Sequence, residues 1–250
     1  MLDESQLKHY DKNGFLVLSK FFHKSEVAEV LGYSLSVLGN GLESNIFKTW
    51  KENPDKIKNL GKLLQYSEPI QRLGFDKKIR KLCKELGLKK PIQCTRPVQF
   101  FHHKDLAEKE IYYKTPPHQD WASIRGSLNG LVIWLPLVDC SYAAIGPLEI
   151  VPKSHKKGSL AVEVKNNFGL VKCYKSKDFY SLLVKPGDIV VFNQFLVHRS
   201  GKNTSNQIRW SINYRFADLA DPQWAARDFY TPYKYYPDTT GEDIAYPIKS

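Results

Sequence analysis

Pro116-Pro117-His118-Gln119-Asp120-Trp121 places an imidazole and a carboxylate two residues apart. On an extended strand, residues i and i+2 point to the same face, so His118 and Asp120 are positioned to grip one ion together. A third ligand is available at His198, in Leu196-Val197-His198-Arg199-Ser200, which follows the strand-like run Asp188-Ile189-Val190-Val191-Phe192. Two histidines and one carboxylate on one face of a first-row metal leave three positions open, the arrangement of non-haem Fe(II) oxygenases. The competing reading of the pair alone is a hydrogen-bonded surface His/Asp, because His-x-Asp is common by chance.

The flanks add specificity. After His118-x-Asp120 come Asn129-Gly130, Trp134, the run from Gly146-Pro147-Leu148-Glu149-Ile150-Val151-Pro152-Lys153-Ser154-His155 to Gly158, Lys185-Pro186-Gly187-Asp188, His198-x-Ser200 and Arg209, in that order. This ordered set, over roughly residues 3 to 216, resembles the phytanoyl-CoA dioxygenase (PhyH-like) family of Fe(II)- and 2-oxoglutarate-dependent oxygenases. The expected fold is mainly β with an α+β character: a double-stranded β-helix (jelly-roll, cupin-like) core with N-terminal helices packed on one side. The resemblance implies Fe(II), 2-oxoglutarate as cosubstrate and O2, with succinate and CO2 released as a substrate C–H bond is hydroxylated. It assigns His118, Asp120 and His198 to the metal. It assigns Arg209, eleven residues beyond His198, to the distal carboxylate of 2-oxoglutarate, a role suited to a planar fork that stays charged when buried. Ser200 matches a second carboxylate contact. Trp134 and Gln99 fall where the family lines the cosubstrate pocket, although plain core packing explains Trp134 as well. His155 corresponds to a family histidine outside the metal shell. A carboxylate at 120 favours hydroxylation over the halogenation of relatives with a small residue there.

Two other classes of function stay open. Arg209-x5-Arg215 is similar to the pattern of the superfamily's nucleic-acid demethylases, in which a second arginine contacts the metal-binding Asp. A non-catalytic binding module that kept the metal site is the other. An oxygenase using the triad without 2-oxoglutarate is disfavoured by Arg209.

The bulk properties suit one soluble domain. The chain has 250 residues, 42% hydrophobic and 13% aromatic, enough for a packed core. No run of 18 apolar residues suggests a membrane span, and the polar start Met1-Leu2-Asp3-Glu4-Ser5-Gln6 is unlike a secretory signal. Cys83, Cys94, Cys140 and Cys173 form no Cys-x-x-Cys pair and are expected as free thiols in a cytoplasmic protein. The net charge of +11 would favour an anionic partner, but the lysines form no block of five or six like charges. A nucleic-acid partner is therefore not expected, and the sequence does not indicate an oligomeric state.

The periodicity predicts a helical part over 1–90, a jelly-roll core over about 91–216 and an irregular tail over 217–250 rich in Tyr and Pro. Asp3 caps a first helix ended at Gly14, Phe15 to Leu18 forms a strand, and Ser25 caps a second helix. Residues 39–69 show no clear pattern beyond a turn at Gly39-Asn40-Gly41 and a turn or helix start at Asn53-Pro54-Asp55. A helix follows Asp76 and closes at Gly87. Ile92 to Phe101 begins the strands, and Leu131 to Leu137 is apolar enough to be covered on both faces. From Arg209 to Phe216, Arg209, Ser211, Asn213 and Arg215 alternate with Trp210, Ile212, Tyr214 and Phe216. A wholly polar face inside a barrel is costly unless it lines a site. His102 and His103 are expected as exposed loop histidines. Arg125, Lys104, Lys109 and Lys114, close in sequence to the triad, are candidates for a basic pocket rim that would select a small anionic substrate; the alternative is that they keep a loop soluble.

Overall fold

The computed structural model describes residues 2–107, 114–165 and 168–226. The chain opens with α1 (Glu4–Asn13), β1 (Phe15–Leu18), α2 (Lys24–Gly39), α3 (Glu43–Glu52), α4 (Pro54–Leu64), α5 (Glu68–Gly74) and α6 (Lys77–Glu85). Strands then dominate: β2 (Pro91–Gln93), β3 (Val98–His102), a short α7 (Trp121–Ile124), β4 (Leu131–Pro136), β5 (Leu148–Ile150), β6 (Glu163–Lys165), β7 (Phe168–Leu170), β8 (Tyr180–Leu182), β9 (Ile189–Asn193), β10 (His198–Ser200), β11 (Arg209–Asp218) and α8 (Pro222–Ala225). Among the described residues helix nevertheless exceeds strand, 39% against 23%.

Local chemistry explains most helix ends. Asp3 and Gln6 form a capping box on α1, and Gly14, at φ 84°, ends it in the left-handed conformation. The expected cap at Ser25 moves to His23, whose side chain accepts from the Ser25 amide. Within 39–69, where no pattern was evident, lie α3 and α4, the second opened by Asn53 capping and Pro54 in the first turn.

A six-stranded sheet runs in the order β1-β9-β4-β11-β2, with β3 also pairing β11. A three-stranded sheet, β10-β5-β8, faces it. Strand alternation sends one side of the large sheet to the helices and the other to the small sheet. Leu131, Ile133, Leu135, Trp210, Ile212, Tyr214 and Phe216 share one core with α2 to α6. Val132, Trp134, Val190 and Phe192 meet Leu148, Ile150 and Leu182 of the small sheet in a second core. β4 is thus covered on both faces, as its apolar run predicts. This is the jelly-roll with helices on one side.

Two expectations change. The strand expected over Ile92 to Phe101 is broken between Gln93 and Val98, and both pieces lie along the same edge of β11; Pro97 has no amide to continue the ladder. The strand expected at Phe15 to Leu18 within the helical N-terminal part is present and pairs antiparallel with β9. The tail is regular to residue 225, since β11 runs to Asp218 and α8 follows. The tyrosine-rich stretch beyond 226 lies outside the described residues.

Candidate metal centre

His118 and His198 are brought together by the backbone. Each donates its amide to the other's carbonyl at 3.0 Å, a two-way bridge between the loop before α7 and the start of β10. Their ring centroids lie 4.1 Å apart with the planes tilted by 50°. Asp120 is not on an extended strand as its spacing suggested. It sits at φ −68°, ψ −22°, where the chain turns into α7, and this turn swings its carboxylate back toward the rings. Ligand atoms of His118, Asp120 and His198 lie within 4.8 Å of one another.

The donor set suits a first-row metal. His118 Nδ1 pairs with the Pro116 carbonyl at 2.8 Å and His198 Nδ1 with the Leu196 carbonyl at 3.0 Å. Bonding of this kind holds the proton on Nδ1 and leaves Nε2 for an ion. His198 Nε2 is buried, makes no hydrogen bond and stands 3.5 Å from Asp120 Oδ2. A buried nitrogen lone pair beside a carboxylate oxygen is costly without an ion, and mixed N/O ligands of this kind fit Fe(II).

Electrostatics keeps the ligands in their metal-binding forms. Burial and the neighbouring His198 push His118 down to about 3, and burial lowers His198. Burial alone would raise Asp120, but Arg215 and the two rings outweigh it and hold the carboxyl below its usual range. The sign for stability follows. An unfolded chain protonates His118 near its ordinary 6.5, while the folded chain resists until about 3. Stability is therefore intact above pH 6.5 and lost as pH falls through that window, by up to about 1.4 kcal/mol per pH unit for this one group. Urea denaturation of metal-free protein at pH 7.5 and pH 5 should show the midpoint falling, and saturating divalent metal should raise the midpoint at both pH values without removing the fall.

Beyond the triad, β11 presents its polar face inward. Arg209, Ser211, Asn213 and Arg215 are all buried. Arg209 donates from Nη1 to the Gly146 carbonyl at 2.7 Å and from Nη2 to Ser200 Oγ at 2.9 Å. Nη2 also meets His102 Nδ1. Gly146 offers its carbonyl from φ 72°, and a Cβ there would meet the Asn203 amide at 2.7 Å and the Gly201 carbonyl, so no larger residue fits. All three partners of Arg209 are neutral, since burial and Arg209 itself hold His102 well below its ordinary value. Burial lowers Arg209 to about 10, which leaves it charged at neutral pH. Its Nε is buried and makes no hydrogen bond, and no carboxylate among the described residues pairs with it.

The other residues singled out in the sequence divide. Ser200 touches Arg209 directly, and Trp134 faces the interior with its ring 6.0 Å from the Arg209 guanidinium. Gln99 does not line this space. It is opposite Ile212 on the helix-facing side of β11 and donates to Ser34 Oγ of α2 at 2.7 Å. His102, opposite Arg209, occupies the inward position instead. The expected exposed loop histidines are both buried, His103 with its ring against Phe47. The adjacent pair was the only signal for His102. His155 stays outside the metal shell, bonded to the Asp11 carbonyl at 3.0 Å. Arg215 donates from Nε to Asp120 Oδ1 at 2.9 Å, and its Nη2 makes an ion-pair contact with the same oxygen at 2.9 Å. Of the rim candidates, Arg125 is buried and caps α7 at φ 47°, so it does not project from a rim. Lys114 is half-buried and Lys104 exposed. Lys109 lies outside the described residues.

A jelly-roll carrying a His-x-Asp…His triad and an inward arginine defines the class of non-haem iron oxygenases. Comparison with known proteins agrees. The phytanoyl-CoA dioxygenase (PhyH) family matches residues 10–211, and the chain belongs to that family. It is an Fe(II)- and 2-oxoglutarate-dependent dioxygenase. Phytanoyl-CoA dioxygenase 1 of Oryza sativa subsp. japonica is 24% identical, over 91% of this chain and 93% of its own. Dioxygenase lolE1 of Epichloe uncinata is also 24% identical, over 90% of this chain and 89% of its own. Among solved structures, the epimerase SnoN in complex with Fe3+, alpha ketoglutarate and nogalamycin RO superposes at TM-score 0.61 and 17% identity, covering 90% of this chain and 88% of that one. EctD from S. alaskensis with 2-oxoglutarate and 5-hydroxyectoine gives TM-score 0.59 and 16% identity, covering 88% and 77%. At such identities these structures establish the shared fold.

Proposed function

We propose that this chain acts as a single domain that hydroxylates a C–H bond of a small, polar, anionic metabolite: a sugar, nucleotide-linked, phosphorylated or carboxylated compound. His118, Asp120 and His198 hold the iron, and Arg209 with Ser200 anchors the distal carboxylate of 2-oxoglutarate. Iron, 2-oxoglutarate and O2 supply the oxidising chemistry; the chain binds, orients and excludes water. The observation behind this reading is Arg209: a buried cation with only neutral partners among the described residues invites a carboxylate, because an unpaired buried charge costs several kcal/mol. Trp134 walls the same space. The four cysteines are free thiols, in keeping with a cytoplasmic setting. No helix among the described residues is long and apolar enough to cross a membrane.

The anionic substrate rests on the net charge of +11 and on Lys114, half-buried four residues before His118. The test is a metabolite screen scored by succinate release, followed by Lys114→Gln. Substrate-dependent release should fall severalfold while release without substrate holds, and added salt should mimic the substitution. Equal loss of both rates, or loss of neither, would count against an anion held there.

One observation favours a second reading. Arg215 does contact Asp120, the feature expected of the nucleic-acid demethylases. That reading requires DNA or RNA binding that weakens steeply with salt, and salt-insensitive or absent binding removes it.

A further inference from the structure

We propose that Arg215 is a positioning residue that makes Asp120 a one-oxygen metal ligand and so keeps a coordination position open. The inference rests on the triad reading above. A carboxylate can give a metal one oxygen or two. Given two, with two imidazoles beside it, a six-coordinate ion would have two positions left. Those would be filled by a chelating 2-oxo acid, with none remaining for O2.

The geometry at Asp120 selects the first mode. Arg215 Nε and Nη2 both reach Oδ1, each at 2.9 Å, and both side chains are buried. An oxygen that accepts a charge-assisted hydrogen bond from Nε and has Nη2 of the same guanidinium in ion-pair contact is committed to the arginine. Oδ2 is the oxygen turned toward His198 Nε2, 3.5 Å away. The two partners differ in how firmly the backbone holds them. Arg215 lies inside the ten-residue β11, opposite Val132 of β4, and its carbonyl accepts from the Cys94 amide at 2.9 Å on the other side. Asp120 stands where a loop turns into a four-residue helix. The strand residue is the fixed jaw, and the carboxylate is what it sets.

The experiment uses Co(II), a spectroscopic stand-in for Fe(II), on the wild type, Arg215→Gln, Arg215→Lys and the same changes in an Asp120→Ala background. In Arg215→Gln, Co(II) affinity by calorimetry should fall about 10- to 100-fold. Its visible d–d bands with 2-oxoglutarate bound should weaken, as Asp120 turns to offer both oxygens and the coordination number rises. Arg215→Lys should restore part of the affinity, since a point charge cannot supply the fork. With Asp120 replaced by Ala, Arg215→Gln should cost no further affinity, because the arginine acts through the carboxylate. Affinity and spectrum within twofold of wild type in Arg215→Gln would overturn the inference. So would an equal loss of affinity with or without Asp120, the mark of a merely structural role. If Arg215→Gln does not fold, Arg215→Lys carries the same cycle. A wild type that binds no Co(II) would instead overturn the triad itself.

Discussion

His198→Ala is expected to reduce iron-dependent turnover of 2-oxoglutarate to the assay background while leaving the protein folded. The substitution removes a ring whose Nε2 faces Asp120 and whose Nδ1 is already committed to Leu196. Two ligands remain, too few to retain Fe(II) at the dilute concentrations of a turnover assay. The bridge to His118 survives because it is made by main-chain groups. The ring also packs on Phe192 at 4.7 Å, so a cost of about 1–3 kcal/mol in stability accompanies the change. Succinate formation and thermal melting, measured on one preparation, separate the two effects. His118→Ala should behave likewise. A double variant that still turns over 2-oxoglutarate would end the assignment of these residues to the metal.

Arg209→Ala should leave iron binding intact and raise the apparent 2-oxoglutarate constant roughly tenfold to hundredfold, the worth of about 1.5–3 kcal/mol for a hydrogen bond to a charged group. Arg209 reaches none of the triad; its contacts are Gly146, Ser200 and His102. Arg209→Lys should recover only part of the affinity, because an ammonium cannot reproduce the planar fork. The thermal shift that 2-oxoglutarate gives the wild type should shrink in step. Metal titration with and without cosubstrate separates the roles. An unchanged constant would take the anchor away from Arg209, and Arg215, already bonded to Asp120, is poorly placed to inherit it.

Much of this was legible in sequence wherever a period of two or a fixed spacing carried it. The alternation in β11 foretold both its inward polar face and its helix-facing apolar one. The unbroken apolar run of β4 foretold a strand covered twice. What escaped depended on distant partners. α3 and α4 carry only Ile46, Trp50, Ile57, Gly61 and Leu64 as buried positions between exposed charges, a pattern too sparse to see without the sheet they cover. Gln99 and His102 lie on opposite faces of β3, and only the register against β11 tells which of the two faces in. A shift of one residue reverses every assignment. Asp120 reached the right place by a different path, a helical turn instead of a pleat. Arg125, close in sequence to a metal ligand, is buried at the end of α7.

The mutual main-chain bonds of His118 and His198 have a consequence for how the protein lives with its iron. Peptide groups some eighty positions apart hold the two ligands side by side, and they ask nothing of the ion. The seat is therefore built when the chain folds and stands ready before any metal arrives. Iron removed by a chelator, or lost after oxidation, is a part taken from a finished frame. Such a protein is built to recover by reloading, without passing through an unfolded state.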